Sequence, residues 1–257
     1  MPVMVLAIPG ALVIGFTLGL LGSGGSILSV PVLVYLLGQE EKVAIASSLA
    51  IVGLIALFGS IPYIRQKVTD WKMVILFGLP AVIGTYAGAS ASVLVSGAVQ
   101  LVVFAGVMLA AAVFMLKPTP VETKARQSGH VRSLLIVVEG LGVGVLTGFV
   151  GVGGGFLIVP ALVLLGGVPM HRAIATSLVI IALKSFAGFA KYMDVLSGAD
   201  IDLGVIGLFS VFGIAGCILG GYVAPYIHQE NLKRAFGVLL VVMSTFIFYR
   251  TIPTLGV

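Results

Sequence analysis

The sequence predicts an all-α polytopic membrane protein that consists of two inverted repeats. Hydrophobic residues make up 60% of the 257 residues and charged residues only 9%, whereas soluble domains carry about 25% charged residues. Apolar runs that could cross the ~30 Å hydrocarbon layer recur along the chain. These runs are continuous rather than alternating, which favours helices over a β-barrel. A string of residues in the first half also returns in the second half.

The duplicated string has a constant offset. Residues 22–52 and 151–181 match at 16 of 31 positions without a gap, at an offset of 129. The shared residues form the pattern G-x-G-G…P…A-I-A-x-S-L, which chance agreement between apolar helices does not explain. The duplication divides the chain into a first transmembrane repeat (1–116), a polar linker (117–133) and a second transmembrane repeat (134–257).

Each repeat contains five apolar segments, and we expect each segment to form a helix. The segments are 3–21, 25–38, 43–62, 73–94 and 97–116, then 134–150, 155–167, 173–190, 203–224 and 235–250. The second segment of each repeat would span only about 20 Å as a helix, which is too short to cross comfortably. We therefore expect broken or re-entrant helices, with the Gly-rich string at the tip of a hairpin. The N-terminus lacks a basic region, so we expect it to belong to the first helix rather than to a cleaved signal peptide.

The charged loops separate cleanly if the two repeats have opposite orientations. Each repeat makes an odd number of crossings, whether its hairpin crosses twice or returns halfway. One face then carries ten positive and three negative residues: Arg65, Lys67, Asp70, Lys72, Lys117, Glu122, Lys124, Arg126, Arg132, Arg172, Glu230, Lys233 and Arg234. The other carries three positive and five negative: Glu40, Glu41, Lys42, Lys191, Asp194, Asp200, Asp202 and Arg250. The positive-inside rule predicts that the first face and the linker are cytoplasmic in a cell inner (plasma) membrane, with both termini outside.

The Gly-rich tips are the predicted substrate-binding elements. Glycines leave backbone N–H groups uncovered, and the helix N-termini that follow carry partial positive charge. Two tips that enter from opposite faces can meet around one site near the midplane. The alternative role for such glycines is close helix packing. The predicted tip residues are Gly22, Ser23, Gly24, Gly25 and Ser26 in the first repeat and Gly151, Gly153, Gly154 and Gly155 in the second.

Hydroxyl groups follow each tip at the start of the third segment. Ser47 and Ser48 in the first repeat, with Thr176 and Ser177 in the second, could donate hydrogen bonds to an anion. Alternatively, their hydroxyls bond back to their own helix backbone. We assign the paired glycines Gly15/Gly19, Gly84/Gly88, Gly144/Gly148 and Gly216/Gly220 to helix packing.

Two ionisable residues fall inside apolar segments. Lys184 lies well inside its segment, where a cation is costly and marks a functional site by default. It could pair with a substrate anion, or else with Glu139 or a helix carbonyl. Glu139 could couple transport to protons, or it could snorkel or pair with Arg132. The composition offers no carboxylate cluster for a cation and no Cys/His set for a metal, so we expect no metal and no cofactor.

The sequence resembles the TauE/SafE family of sulfite exporters at these motifs. The paired strings are GFVGVGGGFLIVPALVLLGGVPMHRAIATSLVIIA and its weaker partner GLLGSGGSILSVPVLVYLLG, and the resemblance covers essentially the whole chain. It implies transport, often export, of sulfite, of sulfonates such as sulfoacetate, or of related organosulfur anions. The implied partners are that small anion and the lipid bilayer, and no nucleic acid.

We expect a secondary transporter that works by alternating access, with one repeat moving against the other around the tips. An inside-negative potential drives negative charge outward, so an anion exporter needs no coupling ion. An anion channel of the same fold is one alternative. A membrane enzyme acting on a sulfur compound is another, but it would have to rely on the single cysteine, Cys217, without a nearby base. We therefore expect no catalytic residues.

Overall fold

The structure is a computed structural model that describes residues 2–116, 129–151, 155–196 and 201–255. These residues form helices and contain no strand. In chain order the helices of the described part are α1 (Pro2–Leu21), α2 (Gly24–Pro31), α3 (Glu41–Arg65), α4 (Trp71–Leu94), α5 (Gly97–Leu116), α6 (Gly129–Val150), α7 (Gly155–Pro160), α8 (Met170–Val195), α9 (Leu203–Tyr226) and α10 (Gln229–Leu255).

These helices coincide with the apolar segments predicted from the sequence, and the polytopic α-helical class is confirmed. Seven helices of the described residues are long and apolar enough to cross a membrane. One boundary differs, because α6 begins at Gly129, inside the stretch predicted as linker. A helix can extend past the bilayer into water, so hydrophobicity alone does not mark its start. The remaining linker residues, 117–128, lie outside the described part.

The short second helix has the same irregularity in both repeats. After Pro31 and Pro160, which occupy equivalent positions, the helix continues as a π-helical turn over Val32–Leu36 and Ala161–Leu165. Proline lacks an N–H group and its ring clashes with the preceding turn, which disrupts the regular hydrogen-bond pattern. The predicted short, interrupted helices are therefore present, and the duplication extends to their local geometry.

The closest helix pairs join one repeat to the other. α1 packs along α9, and α6 packs along α4, so the two pairs correspond when the repeats are exchanged. In the first pair a Cβ added to Gly15 would lie 2.7 Å from Gly213 Cα, and in the second a Cβ added to Gly144 would lie 2.8 Å from Ala81 Cα. Backbones can approach this closely only where side chains are absent. The paired glycines therefore serve packing, as expected.

α3 and α8 form the centre of the molecule and run antiparallel. Gly53 faces Ser185 and Phe186, whereas Leu49, one turn earlier in α3, faces Gly188, which is later in α8. Most residues along both helices are buried. These two equivalent helices therefore run in opposite directions.

Contacts near the loops join residues that the charge pattern assigns to the same face. At one end the Asp70 backbone N–H donates to Thr176 Oγ1 at 3.0 Å, and His171 bonds to the Ala224 carbonyl. At the other end Tyr35 bonds to Thr251, and the Lys191 ammonium lies 5.2 Å from the ring centre of Tyr86. The first group belongs to the predicted basic face and the second to the opposite face.

Candidate functional site

The first glycine of each tip ends a helix. Gly22 and Gly151 have φ angles of +74° and +69°, and their N–H groups donate to Leu18 and Thr147. This left-handed conformation is the usual C-terminal cap, and glycine adopts it without a steric penalty. The chain therefore turns sharply after α1 and after α6.

Each tip packs on the long central helix of the other repeat. A Cβ added to Gly22 would lie 2.7 Å from Ile174 Cα in α8, and a Cβ added to Gly151 would collide with Ile45 in α3. Ile45 and Ile174 are equivalent residues, so the two contacts correspond when the repeats are exchanged. A side chain at either glycine would push the tip away from the centre.

The two tips also contact each other. A Cβ added to Gly155, at the start of α7, would lie 3.1 Å from the Cβ of Ser23, at the start of α2. Gly24 and Gly25 pack back against α1, where a Cβ on Gly25 would lie 2.7 Å from Leu18 Cβ. Packing therefore accounts for Gly24 and Gly25 in this structure. Gly153 and Gly154 lie outside the described residues.

Four of the predicted hydroxyl groups already donate to backbone carbonyls. Ser48 bonds to Ile45 at 2.8 Å and Thr176 to Arg172 at 2.7 Å, each within its own helix. Ser26 bonds to the Ser23 carbonyl, and Ser177 Oγ lies 2.9 Å from the carbonyl oxygens of both Gly22 and Ile174. A hydroxyl has one proton, so these four groups would have to rotate before they could donate to an anion. Ser177 has a second role, because it ties the first tip to α8.

Ser23 and Ser47 are different. Both side chains are fully buried, and within the described residues neither hydroxyl has a hydrogen-bond partner. A buried hydroxyl without a partner is unfavourable and calls for an explanation, such as a ligand or an ordered water. Ser23 also precedes the first N–H groups of α2 and does not cap them with its side chain. The first tip thus places a hydroxyl that has no partner among the described residues next to the N-terminus of a helix.

Lys184 is the one charged side chain that the described residues bury, with 1% of its surface exposed. Its ammonium donates to Thr147 Oγ1 at 2.8 Å, and Thr147 in turn donates to the Gly144 carbonyl. The Thr147 carbonyl also accepts a hydrogen bond from the Gly151 N–H, so the ammonium lies beside the last turn before the second tip. An ammonium carries three donors, and the described residues account for one of them.

Glu139 lies on α6 and is half-buried. The ion pairs among the described residues are Lys191–Asp194 and Arg234–Glu230, and neither includes Glu139 or Lys184. The alternative in which Lys184 pairs with Glu139 is therefore not seen. The ammonium is instead held by a neutral hydroxyl, which leaves its charge uncompensated among these residues.

Sequence reasoning missed a pair of tyrosines. Tyr63 donates to the Gly19 carbonyl at 3.4 Å, and Tyr192 donates to the Gly148 carbonyl at 3.4 Å. Both carbonyls belong to the last turn before a tip, and both pairs are equivalent at the offset of 129. Extending the repeat comparison beyond residue 52 would have found them. Gln100 donates to the Tyr192 hydroxyl at 2.9 Å and gave no such signal, because its counterpart is Leu232 at the offset of 132, which also pairs Gly84 with Gly216 in this part of the repeats.

Comparison with known proteins decides the family. The family model described as sulfite exporter TauE/SafE matches residues 7–247, which is almost the whole chain. The chain belongs to the TauE/SafE family. The family resemblance predicted from the paired glycine strings is thereby confirmed.

Relatives of this TauE/SafE protein carry transporter names. A probable membrane transporter protein of Xylella fastidiosa strain Temecula1 is 31% identical over 93% of this chain and 92% of its own length. The probable membrane transporter protein MJ0441 of Methanocaldococcus jannaschii is 24% identical over 94% and 95% of the two chains. The probable membrane transporter protein YunE of Bacillus subtilis is 28% identical over 89% and 90%. No solved structure matches the chain.

Proposed function

We propose that this TauE/SafE membrane transporter is a secondary transporter that exports a small organosulfur anion, such as sulfite or a sulfonate like sulfoacetate. The observation that carries the proposal is the meeting of the two tips. Ser23 contacts Gly155 where α2 and α7 begin, and the buried Ser23 hydroxyl has no partner among the described residues. Lys184 lies next to the turn that leads to the second tip. The family description, sulfite exporter, supports the substrate class.

The groups available near the tips suit an oxyanion. Ser23 and Ser47 offer O–H donors, and the start of α2 offers backbone N–H donors with partial positive charge. The Lys184 ammonium adds a full positive charge in a buried setting, where electrostatic attraction is stronger than in water. Sulfite and sulfonates present several acceptor oxygens to such a set of donors.

The direction of transport follows from charge. An inside-negative potential drives each unit of negative charge outward by about 2.3 kcal/mol per 100 mV. Export of an anion from the basic, cytoplasmic face of a cell inner membrane therefore needs no coupling ion. If protons are coupled, Glu139 is the carboxylate positioned to carry them, because it is half-buried on the helix that ends at the second tip.

The inverted arrangement of the repeats is part of the proposal. The antiparallel packing of α3 and α8 supports it, as does the grouping of basic loops at one end. Alternating access would then expose the tips to each face in turn.

Binding of anions to detergent-purified protein tests the proposal. A ligand that binds only the native state stabilises it by about 2.7 kcal/mol at one hundred times its dissociation constant. We expect sulfite or sulfoacetate to raise the unfolding temperature and zwitterionic taurine to leave it unchanged, with sulfate showing how selective the site is. Lys184→Met should abolish the effect. Lys191→Met is the matched control, because Lys191 lies on the same helix, is partly exposed and pairs with Asp194. Stabilisation that survives in Lys184→Met would remove the lysine from the site.

Transport in liposomes separates the alternatives. A carrier shows saturable counterflow, in which an excess of anion on one side drives uptake of labelled anion on the other, whereas a channel does not. A thiol enzyme would require Cys217, which is buried within α9 against Gly19 and Gly59. We expect Cys217→Ser to keep full anion binding and counterflow. A Cys217→Ser protein that has lost both would favour the thiol enzyme.

A further inference from the structure

A pocket of about 320 Å³ opens beside the first tip. It lies between the end of α3, the start of α8 and the end of α9, and its lining includes Tyr63, Gln66, Val68, His171 and Ile174. These residues belong to the end of the molecule that carries the basic loops.

The pocket leads to the first tip. Ile174 lines it and packs against Gly22, where a Cβ would lie 2.7 Å from Ile174 Cα. Tyr63, on another wall, reaches the Gly19 carbonyl with its hydroxyl at 3.4 Å. Tyr63 and Ile174 therefore line the pocket and also contact the end of α1.

The chemistry of the pocket favours an anion. The Gln66 amide is a donor, the Tyr63 hydroxyl could donate to an anion once it releases the Gly19 carbonyl, and none of the lining residues is a carboxylate. Three exposed cations, Arg65, Lys67 and Arg172, are sequence neighbours of Gln66 and His171. A second pocket, of about 290 Å³, lies near the start of α9 and has the Asp202 carboxylate in its lining. That carboxylate would repel an anion, so the first pocket is the better match for one.

The equivalent position in the other repeat is filled. Tyr192 corresponds to Tyr63 and Ile45 to Ile174, but here Gln100 from α5 occupies the space. Its amide donates to the Tyr192 hydroxyl at 2.9 Å and to the Phe149 carbonyl, and the side chain is fully buried. Tyr192 is also buried completely. Among the described residues, Tyr63 thus lines an open pocket, whereas its counterpart Tyr192 is covered by the Gln100 side chain.

We propose that the pocket beside Tyr63 is the mouth through which a small oxyanion reaches the first tip, and that Gln100 closes the equivalent mouth beside Tyr192. The inference rests on the proposed function and adds to it the side from which the site is open in this structure. Substrate can leave on the far side only after the Gln100 amide has withdrawn from Tyr192 and Phe149.

Cysteine accessibility tests the two mouths against each other. The chain has a single cysteine, so Cys217→Ser provides a cysteine-free background. In it, Ile174→Cys reports on the open mouth because Ile174 lines the pocket, and Ile45→Cys is the matched control at the equivalent position. Both native side chains are buried, with 1% and 0% of their surface exposed, so a difference in rate would reflect access through the mouth. The probe is 2-sulfonatoethyl methanethiosulfonate, whose sulfonate resembles the proposed substrates, added to protein in detergent so that both faces are reachable. Unfolding in SDS gives the full extent of labelling for each cysteine.

We expect Ile174→Cys to react faster than Ile45→Cys by at least an order of magnitude. Adding Gln100→Ala should accelerate the reaction at Ile45→Cys and leave Ile174→Cys unchanged. Gln100→Leu, which keeps most of the bulk of the side chain without its amide, should keep Ile45→Cys slow and controls for loosened packing. Equal rates at the two cysteines would overturn the inference, as would acceleration at both positions by Gln100→Ala.

The same labelling separates this inference from the proposed function. Sulfoacetate should slow the reaction at Ile174→Cys, because it would occupy the mouth; sulfite is unsuitable since it cleaves the mixed disulfide. If Ile174→Cys reacts faster than Ile45→Cys but no anion changes either rate, the open mouth is supported and the proposal that it binds an anion is refuted. Equal rates in a protein that sulfoacetate nonetheless stabilises would leave the proposed function standing and refute the mouth.

Discussion

The buried contact between Lys184 and Thr147 makes a prediction about stability that runs against the usual effect of deleting a hydrogen bond. A hydrogen bond to a charged group contributes about 1.5–3 kcal/mol. A lysine at the centre of a membrane helix costs about 2.5–3.5 kcal/mol relative to apolar surroundings. Lys184 is 1% exposed and donates to Thr147 at 2.8 Å. Lys184→Met removes both the stabilising hydrogen bond and the cost of burying the charge, so we expect the free energy of unfolding to change little or to rise slightly.

Thr147→Val should behave in the opposite way. It keeps the shape of the side chain but removes the acceptor, and the ammonium stays buried without that partner. Leaving a buried charge unsatisfied costs about 3 kcal/mol or more. The double variant Lys184→Met/Thr147→Val should recover most of this loss, because the charge that needed the hydroxyl is gone. The expected coupling between the two positions is about 2–3 kcal/mol.

Equilibrium unfolding in mixed detergent and SDS micelles, followed by far-UV circular dichroism, measures all four proteins. Anion-induced stabilisation is measured on the same samples. We expect Lys184→Met to keep its stability and lose anion binding, which would show that the lysine is retained for its charge. If Lys184→Met is as unstable as Thr147→Val, the lysine is a structural donor, and its assignment to the substrate site is wrong.

Three further predictions concern packing and the tips. Gly144→Ala should be less stable than Gly142→Ala by about 1–3 kcal/mol, because a Cβ at Gly144 would meet the backbone of α4 whereas one at Gly142 has open space; similar unfolding curves would contradict the packing. Ser47→Ala should weaken anion binding without loss of stability, since its buried hydroxyl has no partner among the described residues; unchanged affinity would remove it from the site. Tyr192→Phe should cost about 1–3 kcal/mol because it leaves the Gln100 amide short of an acceptor, and Tyr63→Phe should cost less because its hydroxyl makes a longer bond at the edge of a pocket; the reverse order in thermal unfolding would refute this reading.

Composition and duplication were enough to predict the helices and the packing glycines. Hydrophobic runs must form helices in lipid, so their positions can be read directly from the sequence. Glycines spaced four residues apart, such as Gly84 and Gly88, predict a helix contact because small residues allow helix backbones to approach closely. The sequence did not say which helix each glycine faces. That depends on how the two repeats interlock.

The state of each polar group at the tips could not be predicted in this way. Whether a serine bonds to its own helix depends on its rotamer and on neighbouring carbonyls, which separates Ser48 from Ser47 although the two are adjacent. Gln100 escaped notice for a related reason. Its partners are the Tyr192 hydroxyl and the carbonyl that the end of α6 leaves free at Phe149, and a contact to backbone leaves no residue pattern.

The glycine contacts also indicate which helices are most closely packed against each other. α1 belongs to the first repeat and α9 to the second, and the pair of α4 and α6 mixes the repeats in the same way. The expectation that one repeat moves as a whole against the other would require both of these backbone contacts to separate at once. Along α3 and α8, by contrast, Gly53 and Gly188 each face side chains of the other helix, which can rearrange. We infer that the two mixed pairs are the rigid bodies and that they move relative to α3 and α8. Since Gly22 ends α1 and Gly151 ends α6, each tip would then move with its own pair, and the contact of Gly22 with Ile174 Cα in α8 would have to separate. One mouth could then be open while the equivalent one is closed.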